Sequence, residues 1–452
     1  MASQTETCVS NCAAKCKNNF GSGKLVYSKL QAFTHFVTNI TLRDFDLIEY
    51  PNGLRVMHKQ VPHTRIQHVG FVVDIGSRDE LPTQQGMAHF WEHMAFKGTE
   101  KRRSFHILNR LEVVGGELNA YTTKEKICFY ASVLNNHADK AFELLTDITF
   151  HSVFPEKEIE KEKGVILEEM SMYEDSPEDD IQDHFDAVLF HGHALGHKIL
   201  GTEETVSSFS KTDFTGFLQQ NLDCSRIMLT SLSSLSTAEI KKLADKHLKD
   251  IPAYAAPFKR KPYATFEPRQ TTIIKPIQQA HCMLGGLGFS FTDEERLPFF
   301  MLINLLGGPG MTSRLNMKLR EKNGLVYTVE SAFAPYSDTG QYHFYFATEK
   351  SRLEKSLKLL FEEVKLVKEK ALGTLQLHQT KEQLMGQIAM AEENNLSLML
   401  TIGKSLLDSG KMESLPELFQ KINAVKASHL LELANRVFEH DQMSMVTFLP
   451  ED

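Results

Sequence analysis

His89, Glu92 and His93, in the run Gly86-Met87-Ala88-His89-Phe90-Trp91-Glu92-His93-Met94-Ala95, have the types and spacing of a hydrolytic metal site. On a helix, positions i and i+4 lie on one face a turn apart, so His89 and His93 can offer two imidazole nitrogens to a single ion. Glu92 then stands beside the ion, where a carboxylate can move protons. The order H-x-x-E-H is the reverse of H-E-x-x-H, and both put two imidazoles and an acid on one helix. A catalytic zinc needs a third protein ligand and a fourth position left for water.

A second helix can supply that ligand. Pro155 opens a charged segment with helical spacing from about Glu156 to Tyr173, in which Glu162 and Glu169 lie two turns apart on one face. Glu168 is about 100° off that face. Glutamates on a helix ordinarily mean a solvated surface, and it is the histidine pair that gives these two another reading. His191, His193 and His197 also cluster, but Gly192 and Gly196 break the segment, which reads as a loop.

The elements around these residues alternate between strand and helix. Asp44–Tyr50 and Leu54–Met57 flank Pro51-Asn52-Gly53 and form a hairpin, followed by a strand over Ile66–Ile75 and the motif helix over Gly86–Phe96. A helix over 104–114 stops at Gly115-Gly116, strands follow at Glu117–Thr123 and Ile127–Leu134, and a helix spans His137–Phe150. After a strand at 226–232 and a helix capped by Ser236, residues 251–275 are rich in proline and basic side chains and read as an interdomain linker. The second half repeats the order: a strand over His281–Phe291, a helix over Arg296–Leu306, the break Gly307-Gly308-Pro309-Gly310, and a helix over Ser313–Lys322. Strands near Leu325–Ala334 and Gln341–Thr348, a helix from Arg352, long helices through Leu375–Ser409 and Pro416–Glu439, and a strand at Met443–Leu449 complete it. The recurrence points to duplication, although the second copy has no H-x-x-E-H.

Composition sets outer bounds. A chain of 452 residues with 42% apolar and 24% charged side chains is that of an ordinary globular protein of more than one domain. No apolar run is long enough to span a bilayer, and a net charge of −8 disfavours nucleic acid as the main partner. Cys128, Cys224 and Cys282 lie singly in apolar segments and read as buried thiols, whereas Cys8, Cys12 and Cys16 crowd a polar tail over residues 1–40 without a signal-peptide or transit-peptide pattern. The expected compartment is the bacterial cytoplasm, with the mitochondrial matrix and the periplasm as alternatives.

From about Arg43 to Leu449 the chain resembles the pitrilysin, or insulinase, family of zinc metallopeptidases, and most closely its half-size, processing-peptidase-like members. The resemblance is carried by Gly76-Ser77-Arg78-Asp79-Glu80, the His89–Thr99 block, Gly115-Gly116 with Asn119-Ala120-Tyr121-Thr122, Val165–Glu169, Leu200-Gly201-Thr202-Glu203-Glu204, Gly307–Gly310 and Leu319–Tyr327. It departs at Ser231-Leu232-Ser233-Ser234, where the family usually has a short Gly-Asn turn, and residues 1–40 match nothing.

The resemblance implies an α+β fold of two homologous domains, each an antiparallel-rich mixed sheet packed against helices. They fall at 41–250, with the zinc, and 276–452, either side of the linker. The family spacing of about 76 residues past His93 selects Glu169 as the third ligand of one Zn2+ per chain and leaves Glu162 as a supporting carboxylate. Glu92 is then the general base of an endopeptidase, and Asn119, Ala120, Tyr121 and Thr122 form the edge strand that binds an extended peptide. Arg320 and Tyr327 match a pair that hydrogen-bonds the substrate carbonyl. In full-length relatives that pair and the zinc lie in opposite halves of a closed chamber, so a chain of half that length is expected to form a homodimer with sites completed in trans. The 13 acidic and 3 basic side chains over 156–186 suggest basic peptides as substrates. A non-catalytic chaperone or assembly subunit of the same fold is the alternative reading.

Overall fold

The computed structural model describes residues 45–256 and 259–451. The tail with Cys8, Cys12 and Cys16 lies outside the described residues.

In the first half, β1 (Asp46–Glu49), β2 (Arg55–Gln60) and β3 (Ile66–Val73) lead into α1 (Met87–Ala95) and α2 (Ser104–Glu112). Then come β4 (Glu117–Thr122), β5 (Ile127–Leu134), α3 (Ala138–Phe150), α4 (Glu156–Glu174) and α5 (Pro177–Leu189). The half closes with α6 (Glu203–Ser208), α7 (Lys211–Asn221), β6 (Ile227–Ser233) and α8 (Thr237–Leu248). The second half begins with β7 (Gln270–Lys275), β8 (Ala280–Gly288), α9 (Arg296–Gly307), a π-helical turn over Asn316–Glu321, β9 (Val326–Pro335) and β10 (Gly340–Thr348). It ends with α10 (Leu353–Glu369), α11 (Thr374–Glu392), α12 (Asn395–Ser409), α13 (Leu415–Ala424), α14 (Ala427–Val437) and β11 (Ser444–Pro450).

The first sheet runs β1-β2-β6-β3-β5-β4 and the second β7-β11-β8-β10-β9. With β1 set aside, the two orders are the same connection pattern, and each contains one parallel pair, β2 with β6 and β7 with β11, among antiparallel neighbours. The duplication read from element order is thus repeated in strand topology. The α+β class holds, with helices packed on both sheets.

Each half covers the other's sheet. One face of the first sheet carries a core in which Val69, Phe71 and Phe129 meet Trp91, Phe142 and Leu145. Its other face, with Met57, Val72, Cys128 and Met228, is closed by Leu398, Met399, Ile402 and Leu406 of α12 from the second half. Reciprocally, Ile181, Phe185 and Leu189 of α5 close Met283, Tyr345, Val446 and Phe448 on the second sheet. Burying each of these large apolar side chains contributes about 1.5–3 kcal/mol, and β10, lying between β8 and β9 with a core on each face, is buried along all nine residues. A polar junction backs the exchange: Arg78 lies 2.7 Å from Glu125 and 2.6 Å from Asp338, and Arg260 lies 2.8 Å from Asp79 and 2.9 Å from Asp74.

Several boundaries move relative to the sequence reading. Gln270–Lys275, placed in the linker, is strand β7, because Thr271, Thr272, Ile273 and Ile274 pair in parallel with Val446–Leu449 of β11, a partner remote in sequence. The two long C-terminal helices are each divided, the first at Asn394, whose side chain accepts the Ser397 N–H and starts a new helix. Helices α5, α6 and α7 had no counterpart in the sequence reading. The segment beyond α5 is irregular, as its glycines indicate, and His193 Nε2 faces the Lys261 carbonyl at 3.0 Å rather than another histidine. Cys128, Cys224 and Cys282 are buried free thiols.

Candidate metal centre

Helix α1 is set in place at its N-terminal end and along its buried face. Both oxygens of the Glu80 side chain accept main-chain N–H groups at that end, from Gly86 at 2.9 Å and Ala88 at 2.8 Å, so a buried carboxyl group caps the N-terminal end of the helix. Gly86, at φ +92°, and Gly201, at φ +80°, lie against each other's backbone, and a Cβ on Gly201 would sit 2.2 Å from the Gln85 carbonyl. That contact gives the Leu200-Gly201-Thr202 motif its purpose. Met87, Phe90, Trp91 and Met94 are fully buried, with Phe90 edge-on to Phe214 at 5.1 Å and Trp91 to Phe129 at 5.6 Å. Burying that stripe turns His89, Glu92 and His93 toward α4 and β4.

Helix α4 answers with its two-turn pair. Glu169 Oε2 stands 3.5 Å from His93 Nε2 and 3.8 Å from His89 Nε2, and the two imidazole centroids are 4.6 Å apart. Glu162 Oε2 faces the other nitrogen of His93, Nδ1, at 3.2 Å, and Glu162 Oε1 lies 2.6 Å from Lys97 Nζ. Glu168, one residue from Glu169, is exposed. Of the described residues, His89, His93 and Glu169 form the one group of three or more His, Cys, Asp or Glu whose ligand atoms all lie within 4.8 Å of one another. Ligand atoms held tetrahedrally at 2.0–2.2 Å from zinc are about 3.4 Å apart. The spacing of this His2Glu set and its donor chemistry both fit zinc.

Glu92 stands apart from that set. Its Oε2 accepts the Thr122 hydroxyl at 2.6 Å, which ties the carboxylate to the end of β4 and leaves Oε1 uncommitted to that bond. Burial pushes the Glu92 carboxyl up to about 7, against the His93 charge and the Thr122 hydrogen bond, and the Glu169 charge adds to the rise. Burial alone would lower His93, but its hydrogen bonds to Glu162 and Glu169 and the charges of Glu92 and Glu169 outweigh it and raise the imidazole to about 9. The centre therefore favours positive charge, and a divalent cation bound there would pull the neighbouring acids down.

Strand β4 is the outer strand of the first sheet. Asn119, Ala120, Tyr121 and Thr122 pair with Tyr130, Phe129, Cys128 and Ile127 of β5 on one side, and among the described residues no strand pairs with the other. Arg320 and Tyr327 are brought to each other, with the guanidinium 5.4 Å from the ring centroid, and Tyr327 is 78% exposed at the start of β9. Their hydrogen bonds, ion pairs and ring contacts do not reach His89, Glu92, His93 or Glu169. The sequence reading missed Lys97, whose signal was its position one helical turn beyond His93. It also missed the Thr122 hydroxyl as a partner of Glu92.

A duplicated α+β chain with a His2Glu centre between two helices of its first half defines the class of a zinc metallopeptidase fold. Residues 55–203 match the model described as insulinase (Peptidase family M16), and residues 208–384 match the Peptidase M16 inactive domain. A Bacillus subtilis protein named an uncharacterized zinc protease is 34% identical over 396 residues, covering 86% of this chain and 95% of that protein. One of the same description from Rickettsia bellii is 32% identical over 408 residues, covering 89% and 97%. The chain belongs to the insulinase family, peptidase family M16. Its fold is also that of a solved protease from Helicobacter pylori, with a TM-score of 0.82 at 19% identity over 90% of this chain and 99% of that one. No helix of the described residues is long and apolar enough to cross a membrane.

Proposed function

We propose that this chain is a zinc-dependent endopeptidase that hydrolyses peptides held extended along β4. The observation that carries the reading is the convergence of His89, His93 and Glu169 beside a buried Glu92 that is hydrogen-bonded to the end of an open edge strand. Zinc held by the three ligands would supply a Lewis acid for the scissile carbonyl and an acidified water. Glu162 accepts from His93 Nδ1 and so keeps Nε2 turned to the ligand position. Thr122 fixes one oxygen of Glu92, and the other takes a proton from the attacking water and returns it to the departing amide nitrogen. The free edge of β4 pairs with the peptide main chain, which selects for extended or unfolded segments rather than folded ones.

Arg320 and Tyr327 serve the carbonyl oxygen as charge develops on it, and they do so from a second copy of the chain. This keeps a pair that is not in contact with its own chain's metal ligands, one of the two partly exposed and the other largely so. A cavity of about 330 Å³ lined by Tyr173, Glu174, Asp180, Asp183, Lys198 and Glu203 lies on the next turns of the helix that carries Glu169, and its acidic balance supports basic peptides as substrates.

The test uses quenched peptides with and without arginine, the zinc-loaded chain, and Glu92→Gln. Hydrolysis that vanishes in the variant while zinc binding persists is expected, with the arginine peptide favoured at low salt. Activity that survives Glu92→Gln would refute the assignment of the base. Mixing Glu92→Gln with Arg320→Ala chains should restore activity once subunits exchange, and exchange without recovery would refute the trans arrangement.

A further inference from the structure

Tyr121 and Thr122 are neighbours on β4 and therefore point to opposite faces of the first sheet. Thr122 meets Glu92 on the metal face. Tyr121 faces α12, the helix donated by the second half, and there Lys404 Nζ lies 4.8 Å from the centroid of its ring. Lys404 is only 4% exposed, and no carboxylate of the described residues pairs with it. Asp408, one turn along α12, is instead engaged by Lys126, and the thiol of Cys128 beside Lys404 is pushed up by burial and stays neutral. Removing an ammonium from water without a counter-ion is costly, and a methionine would fill nearly the same space without that cost. Burial pulls the Lys404 amine below its ordinary range, with the charge of Asp408 acting against that pull, and an amine kept there at such a cost calls for a use.

Packing indicates what the use is. Gly403 brings α12 so close to the sheet that a Cβ there would lie 2.6 Å from Val72 and 2.7 Å from Thr230. At that depth the next residue, Lys404, is carried under the β4–β5 hairpin, while Asp408 ties Lys126 at the turn of the same hairpin. The second half thus grips the hairpin twice, once by an ion pair at its turn and once by a cation on the inner face of its outer strand.

We propose that Lys404 is a positioning residue for the peptide-binding edge. Its cation, attracted to the face of the Tyr121 ring, sets the height of β4 against α1. The unpaired side of β4 is thereby presented to an extended peptide at the distance from Glu92 that Thr122 measures. For the ligand the inference rests on the peptidase reading above, but the placement of the strand is measurable without it.

The experiment compares the full-length zinc-loaded chain with Lys404→Met and Tyr121→Leu by melting temperature, by amide exchange of the segment containing Asn119–Thr122, and by steady-state cleavage of a quenched peptide. Lys404→Met should melt at the same or a higher temperature. It should exchange that segment about tenfold faster and raise KM more than it lowers kcat. Tyr121→Leu should do the same, and the double variant should add little to either. Unchanged exchange and KM in Lys404→Met would overturn the proposal, and so would a lower melting temperature with faster exchange throughout the sheet, since that is the mark of a merely structural lysine. If the wild-type chain cleaves no peptide, the peptidase reading falls, and the exchange of β4 still decides whether Lys404 holds the strand.

Discussion

Replacing Glu162 by glutamine changes one atom and tests how His93, a proposed zinc ligand, is oriented. The two carboxylate oxygens now serve two donors: Oε2 accepts from His93 Nδ1 at 3.2 Å and Oε1 from Lys97 Nζ at 2.6 Å. Glutamine has one acceptor oxygen and one NH2. If its oxygen faces Lys97, the NH2 faces Nδ1, which must then give up its proton, and the proton moves to Nε2, the atom that faces Glu169. If its oxygen faces His93 instead, the NH2 points at an ammonium, donor against donor, in a place where Glu162 is 6% exposed and water cannot easily intervene. Both arrangements disfavour the metal-binding tautomer. Partners of this kind are worth about 10–100-fold in metal affinity, or roughly 1.4–2.7 kcal/mol.

The assay is chelator competition for zinc at fixed pH, on wild type, Glu162→Gln, Lys97→Met and the double variant. Lys97→Met alone should tighten zinc slightly, because a nearby positive charge is gone. In the double variant the glutamine oxygen is free to face His93, so zinc should bind more tightly than in Glu162→Gln by a larger factor than Lys97→Met shows against wild type. Such non-additivity is what two donors sharing one group require. A zinc affinity in Glu162→Gln within twofold of wild type would refute the reasoning, and so would strict additivity.

Thr122→Val removes the donor at 2.6 Å from Glu92 while keeping shape. The lost bond disfavours the ionised carboxylate, so the Glu92 pKa rises further above its ordinary value, and the acid limb of kcat/KM should move to higher pH with kcat lower by about tenfold. Zinc affinity should be unchanged, and a pH profile identical to wild type would count against Glu92 as the base. Arg78→Met strips the cation from Glu125 and Asp338 at the junction of the halves, where the Arg78 side chain is 1% exposed. Glu125 would keep Ser337 and, at 3.8 Å, Arg260, and Asp338 would keep the Tyr263 N–H, but losing the shared buried cation should still cost about 3 kcal/mol, read as a lower denaturant midpoint, and a loss under 1 kcal/mol would show that the junction carries little of the stability.

The ligand pattern was legible in sequence because it is local. His89, Glu92 and His93 occupy barely more than one turn, Glu162 and Glu169 are two turns apart, and helical period alone places each set on a face. That Glu169 faces Nε2 of both imidazoles, while Glu162 meets only Nδ1 of His93, depends on where α4 crosses α1, and only the family spacing conveyed it. The parallel pairing of β7 with β11 and of β2 with β6 joins segments about 170 residues apart in each half, and no local pattern encodes such a partner. The Thr122 bond to Glu92 and the placement of Lys404 were illegible for the same reason. Each is an ordinary residue made distinctive by what another element brings to it.

The half without the proposed metal ligands is therefore not passive. Helix α4, which carries Glu162 and Glu169, is held from its first turn to its middle by Ile159 and Ile166 in the first core. Three residues after it ends, α5 begins and seats Ile181, Phe185 and Leu189 on the second sheet. The position of Glu169 along its own axis is thus fixed from one side by the first half and from the other by the second. Strand β4, on the far side of the centre, is likewise held between Glu92 of the first half and α12 of the second. The two walls of the site answer to the same exchange of helices. Loosening that exchange should shift Glu169 and the peptide edge together, and a change confined to either wall alone would mean the two are anchored independently.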